Sequence, residues 1–289
     1  MRKEAYFGPA GGSEDFYAEG HKSSLEMPAW LSQKGLSAYE YQCSKGVKIS
    51  EDAAKKLGTN AKENDIALSV HAPYYISLSS VDEEKRLKSV EYILNTLRAA
   101  NAMGAERIVV HSGSCAKITR REALMLAKDT LKRALYAAKE AGYAEIRICP
   151  ETMGKVNQLG NVAEVCELCS VDESLIPTID FGHVNAQTLG GLREKADFEE
   201  VFNLVQRKLG EYRVKNLHMH YSRIEFTNCG EKKHHTYAET EYGPEFAPIA
   251  EIIAERGYTP TVICESSGTQ TADSVILKRL YESYRSELK

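Results

Sequence analysis

Short apolar runs alternate with longer amphipathic stretches along the whole chain. Each run is followed by Gly, Pro or polar residues, a pattern typical of buried strands that end in loops. Eight segments have this pattern: Ala5–Gly8, Ala38–Gln42, Ala67–His71, Arg107–His111, Glu145–Pro150, Ile176–Asp180, Lys215–His220 and Pro260–Glu265. Strands that alternate with helices predict a parallel sheet, and eight such units in 289 residues favour a closed (β/α)8 TIM barrel, an α/β fold, over an open sheet.

The stretches between these runs carry apolar residues at helical spacing. Two stripes show it: Leu87, Val90, Leu94 and Leu97 in one stretch, and Leu124, Ala127, Leu131 and Ala134 in another. Thr119 and Glu122 form a capping box that predicts the start of the second helix. Phe198–Leu209 and Phe246–Arg256 are also predicted helices. No linker or low-complexity tract divides the chain, so we predict one domain over residues 1–289.

The segment Tyr221–Pro244 interrupts the alternation of strands and helices after the seventh strand. It is polar and too long for a simple connection between a strand and a helix. Loops of this length in compact folds are usually functional or disordered. At the active-site face of a barrel we favour a functional loop.

The composition is that of an ordinary globular protein, with 43% hydrophobic and 27% charged residues. No apolar run approaches the ~20 residues that cross a bilayer, so we expect no membrane contact, and no pattern indicates an obligate protein partner. Seven cysteines without a secretory signal at Met1–Glu4 favour reduced thiols and a cytoplasmic location. The net charge of −4 argues neither for nor against a nucleic-acid partner, because bound cations reverse the local charge.

Histidine and carboxylate residues lie at the ends of six apolar runs. They are His71, His111, Glu151, the pair Asp180 and His183, the pair His218 and His220, and Glu265. The carboxyl ends of barrel strands meet at one mouth, where the active sites of this fold lie. One histidine after a strand is more often a structural residue, but six such strand ends predict a multi-metal site.

The predicted ligands divide into two groups that share one carboxylate. One group is His71, His111 and Glu151, and the other is Glu151, Asp180, His218 and Glu265. Imidazole and carboxylate without clustered thiolates suit Zn²⁺, and also Mn²⁺ or Fe²⁺. Two cations bridged by a carboxylate lower the pKa of a shared water toward neutrality, so phosphodiester hydrolysis is a natural chemistry for this set.

From about Ala67 to Gly268 the chain resembles the endonuclease IV family, metal-dependent endonucleases that act at apurinic/apyrimidinic (abasic) sites in DNA repair. The segments that carry the resemblance are HAPYYISL, VVHSGS, PETMG, IDFGH, LHMH and ICESSG. It implies that Glu151 bridges two Zn²⁺ ions and that Glu151 and Glu265 are catalytic. The other ligands that it implies are His71, His111, Asp180, His183 and His218.

One departure from the family pattern concerns a third metal ion. The family has an Asp-x-His pair after strand seven. Here the histidine falls at His234 or His235, the aspartate falls at Lys232 or Lys233, and Glu231 is the only nearby carboxylate. We therefore expect a third ion to be weak, absent or completed by Glu231, with His183 and His234 as its other protein ligands.

The resemblance implies DNA containing abasic sites as the partner. Tyr74 matches the family's tyrosine that probes the minor groove, with Tyr75 beside it, although ordinary rim packing explains these tyrosines equally well. Lys45, Lys232 and Lys233 are candidate DNA contacts. After strand two the family inserts an arginine into the DNA stack, and residues 41–46 contain none. A different substrate geometry or a weaker grip on duplex DNA would follow.

Two other function classes remain open. A sugar isomerase or epimerase of the same superfamily would bind one divalent ion with the second ligand group and would move a proton with Glu151 and Glu265. Its substrate would be a small sugar, and it would not need His71 or His111 as ligands. A barrel that only binds a ligand is the third class, and the retained ligand set argues against it.

Overall fold

The computed structural model describes residues 3–288; Met1, Arg2 and Lys289 lie outside the described residues. Eight of its strands form one parallel sheet that curves into a nearly closed barrel. In chain order the strands are β1 Tyr6–Pro9, β2 Ala38–Gln42, β3 Ala67–His71, β4 Arg107–His111, β5 Arg147–Glu151, β6 Thr178–Asp180, β7 His218–Tyr221, β8 Arg223–Thr227, β9 Gly230–His235 and β10 Thr261–Cys264. The barrel strands are β1 to β7 and β10, so the eight predicted strands are confirmed.

The barrel closes between its first two strands. Hydrogen-bonded neighbours run β1, β10, β7, β6, β5, β4, β3, β2, and a further parallel bridge joins Ala10 to Glu40. Gly8 permits this approach, because a Cβ there would overlap the backbone carbonyl of Ala38. The predicted TIM barrel is therefore confirmed.

Helices connect the strands on the outside of the barrel. Their bounds are α1 Glu14–Ala18, α2 Met27–Gln33, α3 Glu51–Glu63, α4 Glu83–Met103, α5 Arg120–Glu140, α6 Val162–Cys169, α7 Phe181–Gln187, α8 Lys195–Leu209, α9 Glu211–Lys215, α10 Ala247–Glu255 and α11 Gln270–Glu287. The capping box of Thr119 and Glu122 starts α5 as predicted. Within residues 3–288, no helix is both long enough and apolar enough to cross a membrane.

Two local predictions differ from the structure. Leu87 is 45% exposed, because the buried face of α4 is centred on Ile93 and Leu97 and includes Ser89 and Thr96. Those two hydroxyls donate to backbone carbonyls one turn earlier in the helix. They can therefore be buried, and the apolar stripe alone predicts the wrong buried face for α4. Strand β7 begins three residues later than predicted, because Glu211–Lys215 forms the short helix α9.

The segment Tyr221–Pro244 contains an antiparallel hairpin of β8 and β9 instead of an extended loop. Gly230 has φ +88° and follows the turn between the two strands. The register shifts between Glu225 and Phe226, so that Glu225 pairs with Lys233 and Phe226 pairs with Glu231. Lys232 is therefore an extra residue on β9, and such a bulge changes the direction of the side chains around it.

Candidate metal centre

The carboxyl ends of the barrel strands surround a polar cavity of about 390 Å³. Its walls include His71, His111, Glu151, His183 and Glu265, all of which the sequence predicted as metal ligands. Parallel register brings them together: His111 on β4 pairs with Glu151 on β5. The described side chains thus converge where ligand-bearing strand ends of a barrel are expected to meet.

Glu151 lies at the centre of this group and is fully buried. Its Oε2 atom is 3.3 Å from His71 Nε2 and 3.5 Å from His111 Nε2. Its Oε1 atom is 3.1 Å from His220 Nδ1. One carboxylate therefore presents one oxygen to each of two groups of imidazole nitrogens, as a carboxylate that bridges two cations would.

His220, and not the predicted His218, belongs to the centre. Both are buried on β7, but Asp180 pairs with His220 in the sheet whereas Thr178 pairs with His218. His218 therefore lies one layer deeper, where its Nε2 is 2.8 Å from a Glu40 oxygen. The structure thus places His220, the histidine nearer the carboxyl end of the strand, beside Glu151, and the predicted His218 beside Glu40.

Backbone carbonyls orient three of the histidines. The Nδ1 of His71 lies 2.8 Å from Ala72 O, that of His111 lies 3.3 Å from Tyr74 O, and that of His183 lies 2.9 Å from Thr152 O. A carbonyl only accepts, so each Nδ1 carries the hydrogen and each Nε2 is left as the ligand atom. Metal-binding histidines are commonly fixed in this way.

Asp180 and Glu265 form a second group with Glu151 and His220, in which His220 stands where the prediction had His218. Asp180 is fully buried, its Oδ1 accepts from the backbone N–H of His183, and its Oδ2 has no hydrogen-bond partner. Buried carboxylate oxygens are normally paired. This oxygen is 3.4 Å from His183 Nδ1 without a hydrogen bond, and its position beside two further carboxylates and the imidazole of His220 fits a bound divalent cation.

The electrostatics of the centre point the same way. Burial opposes charge on Glu151, but His220 and His71 outweigh it and hold its pKa well below the usual range. Burial also opposes protonation of His71, yet Glu151 raises the pKa of this imidazole to about 9. Burial raises the pKa of Glu265; His220 opposes the rise, while Glu151 and Asp180 add to it. Positive imidazoles thus stabilise the negative charge of Glu151, a part that a bound divalent cation would also play.

A separate group forms from His183, Glu231 and His234. Glu231 Oε2 is 3.6 Å from His183 Nε2, and Glu231 Oε1 is 3.6 Å from His234 Nε2. In a regular strand Lys232 would share a face with His234, but the bulge at Lys232 turns Glu231 to that face instead. His235 points elsewhere, 2.7 Å from Glu239 Oε1 and stacked on Tyr242.

The predicted DNA contacts fall in different places. Tyr74 lines the cavity and is 57% exposed, whereas Tyr75 packs against Tyr92. Lys232 and Lys233 are exposed on β9, away from the cavity wall, and Lys232 pairs with Glu225 at 2.6 Å.

The sequence analysis did not identify several residues of the site. The predicted Lys45 is exposed in the loop after β2, but the residues of that loop region that line the cavity are Gln42 and Ser44, which were not predicted. Lys155 also lines the cavity. Burial raises the pKa of Glu231, but His234 and His183 lower it more, and Lys155 adds to the lowering. Glu40, an acid inside a strand with buried neighbours, was visible in the sequence but was not recognised as part of the site.

Comparison with known proteins defines the family. Residues 28–282 match the family described as Xylose isomerase-like TIM barrel. A protein of Methanocaldococcus jannaschii, described only as uncharacterised, is 32% identical over 251 residues, which cover 87% of this chain and 89% of that protein. A probable endonuclease 4 of Mycoplasma genitalium is 33% identical over 174 residues, which cover 59% of this chain and 56% of that protein.

The fold is also that of a D-tagatose 3-epimerase-like protein. The two structures superpose with a TM-score of 0.70 over 88% of this chain and 91% of that chain, at 23% identity. At this identity the likeness concerns the fold alone. The resemblance to endonuclease IV is borne out by the endonuclease 4 relative, which the chain matches over little more than half of that protein's length. With its family match extending over most of the sequence, the chain belongs to the xylose isomerase-like TIM barrel family, which includes the endonuclease IV type of enzyme.

Proposed function

We propose that this protein is a metal-dependent phosphodiesterase that hydrolyses the DNA backbone at abasic sites. The observation that carries the proposal is the position of Glu151, with one oxygen facing His71 and His111 and the other facing His220. A one-metal sugar enzyme has no need for the first two histidines. Two ions that share a carboxylate are instead a recurring arrangement for phosphodiester hydrolysis.

The residues have distinct roles in this proposal. His71, His111 and Glu151 would hold one ion, and Glu151, Asp180, His220 and Glu265 would hold the other. When bound, two such ions supply a water of lowered pKa and positive charge opposite the phosphate. Buried Glu151 belongs to both groups and so fixes the distance between them. The backbone carbonyls of Ala72 and Tyr74 prevent the imidazoles of His71 and His111 from rotating. Zn²⁺ is the expected metal, and Mn²⁺ also suits these donors.

The zinc content of the protein and its cleavage of an abasic duplex distinguish this function from that of a sugar epimerase. We expect at least two zinc ions per chain by elemental analysis, and cleavage of a duplex that contains one tetrahydrofuran abasic analogue. Raising the salt from 50 to 200 mM should lower the cleavage rate by at least roughly tenfold, because phosphate contacts are screened. One ion per chain, no cleavage with Zn²⁺, Mn²⁺ or Co²⁺, and turnover of a ketose would reject the proposal.

Tyr74 provides an independent check on the DNA substrate. Tyr74→Ala should lower cleavage by about tenfold while zinc content stays unchanged, because the ring stands at the rim and none of its atoms belongs to a ligand group. Tyr136→Ala is the matched control, since Tyr136 is also a largely exposed tyrosine and lies on α5. Equal rates for the two variants would remove Tyr74 from the DNA interface.

We further propose that Glu231 replaces the aspartate that this chain lacks in a third metal position, together with His183 and His234. Glu231→Gln should weaken a third zinc ion by at least roughly tenfold in a zinc titration and leave two ions bound, because only Glu231 supplies a carboxylate to that group. Glu225→Gln, on the neighbouring strand and paired with Lys232, is the control. A third ion that persists in Glu231→Gln would assign its carboxylate ligand elsewhere.

The second candidate is a sugar epimerase that uses one ion. Its support is the four-residue group of Glu151, Asp180, His220 and Glu265, with two glutamates placed to move a proton, together with the epimerase-like fold. The cavity of about 390 Å³ also has room for a small sugar. The paired His71 and His111 make this the weaker candidate.

A further inference from the structure

Glu40 is a buried carboxylate beneath the metal centre. It lies on β2 and is fully buried, 178 residues away in sequence from its partner His218. Burial of a charge is costly unless paired groups compensate it. Ser69, Gln42, His218 and His220 lie beside this carboxylate. Ligand atoms of His71, His220 and Glu265 also lie within 4.8 Å of it, so three residues of the proposed ligand set are close to Glu40.

The two oxygens of Glu40 have different neighbours. Oε2 accepts from Ser69 Oγ at 2.8 Å and lies 2.8 Å from His218 Nε2. Oε1 accepts from Gln42 Nε2 at 3.2 Å. It also lies 3.1 Å from His220 Nε2, an ion-pair distance without hydrogen-bond geometry. Ser69 and His218 thus hold the carboxylate at the barrel floor, and Oε1 is directed toward the ligand histidine above.

His220 differs from the histidines that backbone carbonyls orient. His71 and His111 present Nε2 to Glu151, and His183 presents Nε2 to Glu231. His220 instead presents Nδ1, which is 3.1 Å from Glu151 Oε1 and 3.5 Å from Glu265 Oε1. Its Nε2 faces away from the two carboxylates and toward Glu40. An imidazole that binds a cation through one nitrogen carries its hydrogen on the other, and an acceptor beside that second nitrogen selects the orientation.

We propose that Glu40 is a positioning residue, which keeps the hydrogen of His220 on Nε2 and so turns Nδ1 toward the shared carboxylate Glu151. The inference rests on the metal centre of the proposed function and adds a residue that binds no ion itself. Glu40 acts through His220: its carboxylate sets which nitrogen is the ligand and stabilises the hydrogen on the other.

The first test uses the wild-type protein loaded with zinc. Long-range ¹H–¹⁵N spectra of histidine-labelled protein, assigned by single His→Asn replacements, report which ring nitrogen of each histidine carries hydrogen. We expect Nε2 for His220, and Nδ1 for His71, His111 and His183. A hydrogen on Nδ1 of His220 would overturn the inference, because His220 would then bind through the nitrogen beside Glu40 and Glu40 would itself be placed as a ligand.

The second test uses Glu40→Gln, which keeps the shape of the side chain and removes its charge. Loss of such a supporting group typically lowers metal affinity about 10- to 100-fold, and we expect this loss in a chelator competition. Ser69→Ala, which leaves the carboxylate and removes one of its donors, should give a smaller loss and serves if Glu40→Gln does not fold. Glu164→Gln is the control, because Glu164 is buried and paired with Arg120 at 2.6 Å outside the centre.

Unchanged zinc affinity in both Glu40→Gln and Ser69→Ala, with two ions and DNA cleavage intact in the wild type, would overturn the role of Glu40 alone. Absence of zinc binding by the wild type would overturn the proposed function and this inference with it. An equal loss of affinity in Glu164→Gln would attribute the effect to general destabilisation and would likewise count against Glu40.

Discussion

Replacement of Glu151 by glutamine is expected to lower the rate of DNA cleavage by about a thousandfold or more, which corresponds to about 4 kcal/mol of transition-state stabilisation. The amide keeps the volume of a fully buried side chain but removes the negative charge that faces His71 and His111 on one side and His220 on the other. Both proposed ion sites therefore weaken at once. The measurements are kcat/KM for an abasic duplex and zinc content per chain.

Glu164→Gln is the matched control for this substitution. It also neutralises a buried carboxylate, but one that pairs with Arg120 and caps the start of α6. We expect Glu164→Gln to cost stability and to leave zinc content unchanged. If Glu151→Gln retained a near-native rate and two ions, the two-ion arrangement around this carboxylate would be wrong.

Replacement of Arg223 by methionine is expected to destabilise the fold by about 3 kcal/mol, the lower end of the range for breaking a buried pair. The guanidinium, only 2% exposed, donates to the carbonyls of Tyr237 and Tyr242 and to both oxygens of Glu245. Methionine fills the space but leaves these acceptors unpaired. Because Glu245 is itself half exposed, water recovers part of the loss.

Thermal unfolding is the appropriate measurement for Arg223→Met. For a chain of this length about 3 kcal/mol corresponds to roughly 5 °C in Tm. Arg223→Lys should rescue little of the loss, since an ammonium cannot reproduce the two-pronged contact. Lys232→Ala, which breaks an exposed pair with Glu225 on the same hairpin, should cost no more than about 1 kcal/mol. Equal Tm values for Arg223→Met and Lys232→Ala would show that the buried guanidinium does not hold this segment.

Arg223 also shows why basic residues in a sequence are poor evidence of a DNA surface. It follows the seventh barrel strand, near other candidate contacts. Its guanidinium, however, is paired with Glu245 and with backbone carbonyls inside the segment that it stabilises. Lys155, by contrast, lines the cavity without belonging to any basic cluster in the sequence. Which Lys and Arg side chains face a substrate depends on the tertiary structure, and the local composition of the sequence does not show it.

The sequence by itself determined the barrel and most of the strand ends, because hydrophobic periodicity and ligand position are both local properties of a strand. His71, His111, Glu151, Asp180 and Glu265 followed from the rule that barrel strands deliver side chains at their carboxyl ends, and the structure brings all five together.

Only the tertiary structure decided the residues whose place depends on register or on a distant partner. His220 replaced His218 because β7 is shifted relative to the apolar run, so that Asp180 pairs with His220. Glu231 reached His234 because a bulge added Lys232 to the strand, which a spacing rule based on regular alternation cannot anticipate. Glu40 acquired its place through contacts with His218 and His220, and a contact between residues nearly 180 positions apart exists only once the barrel has closed.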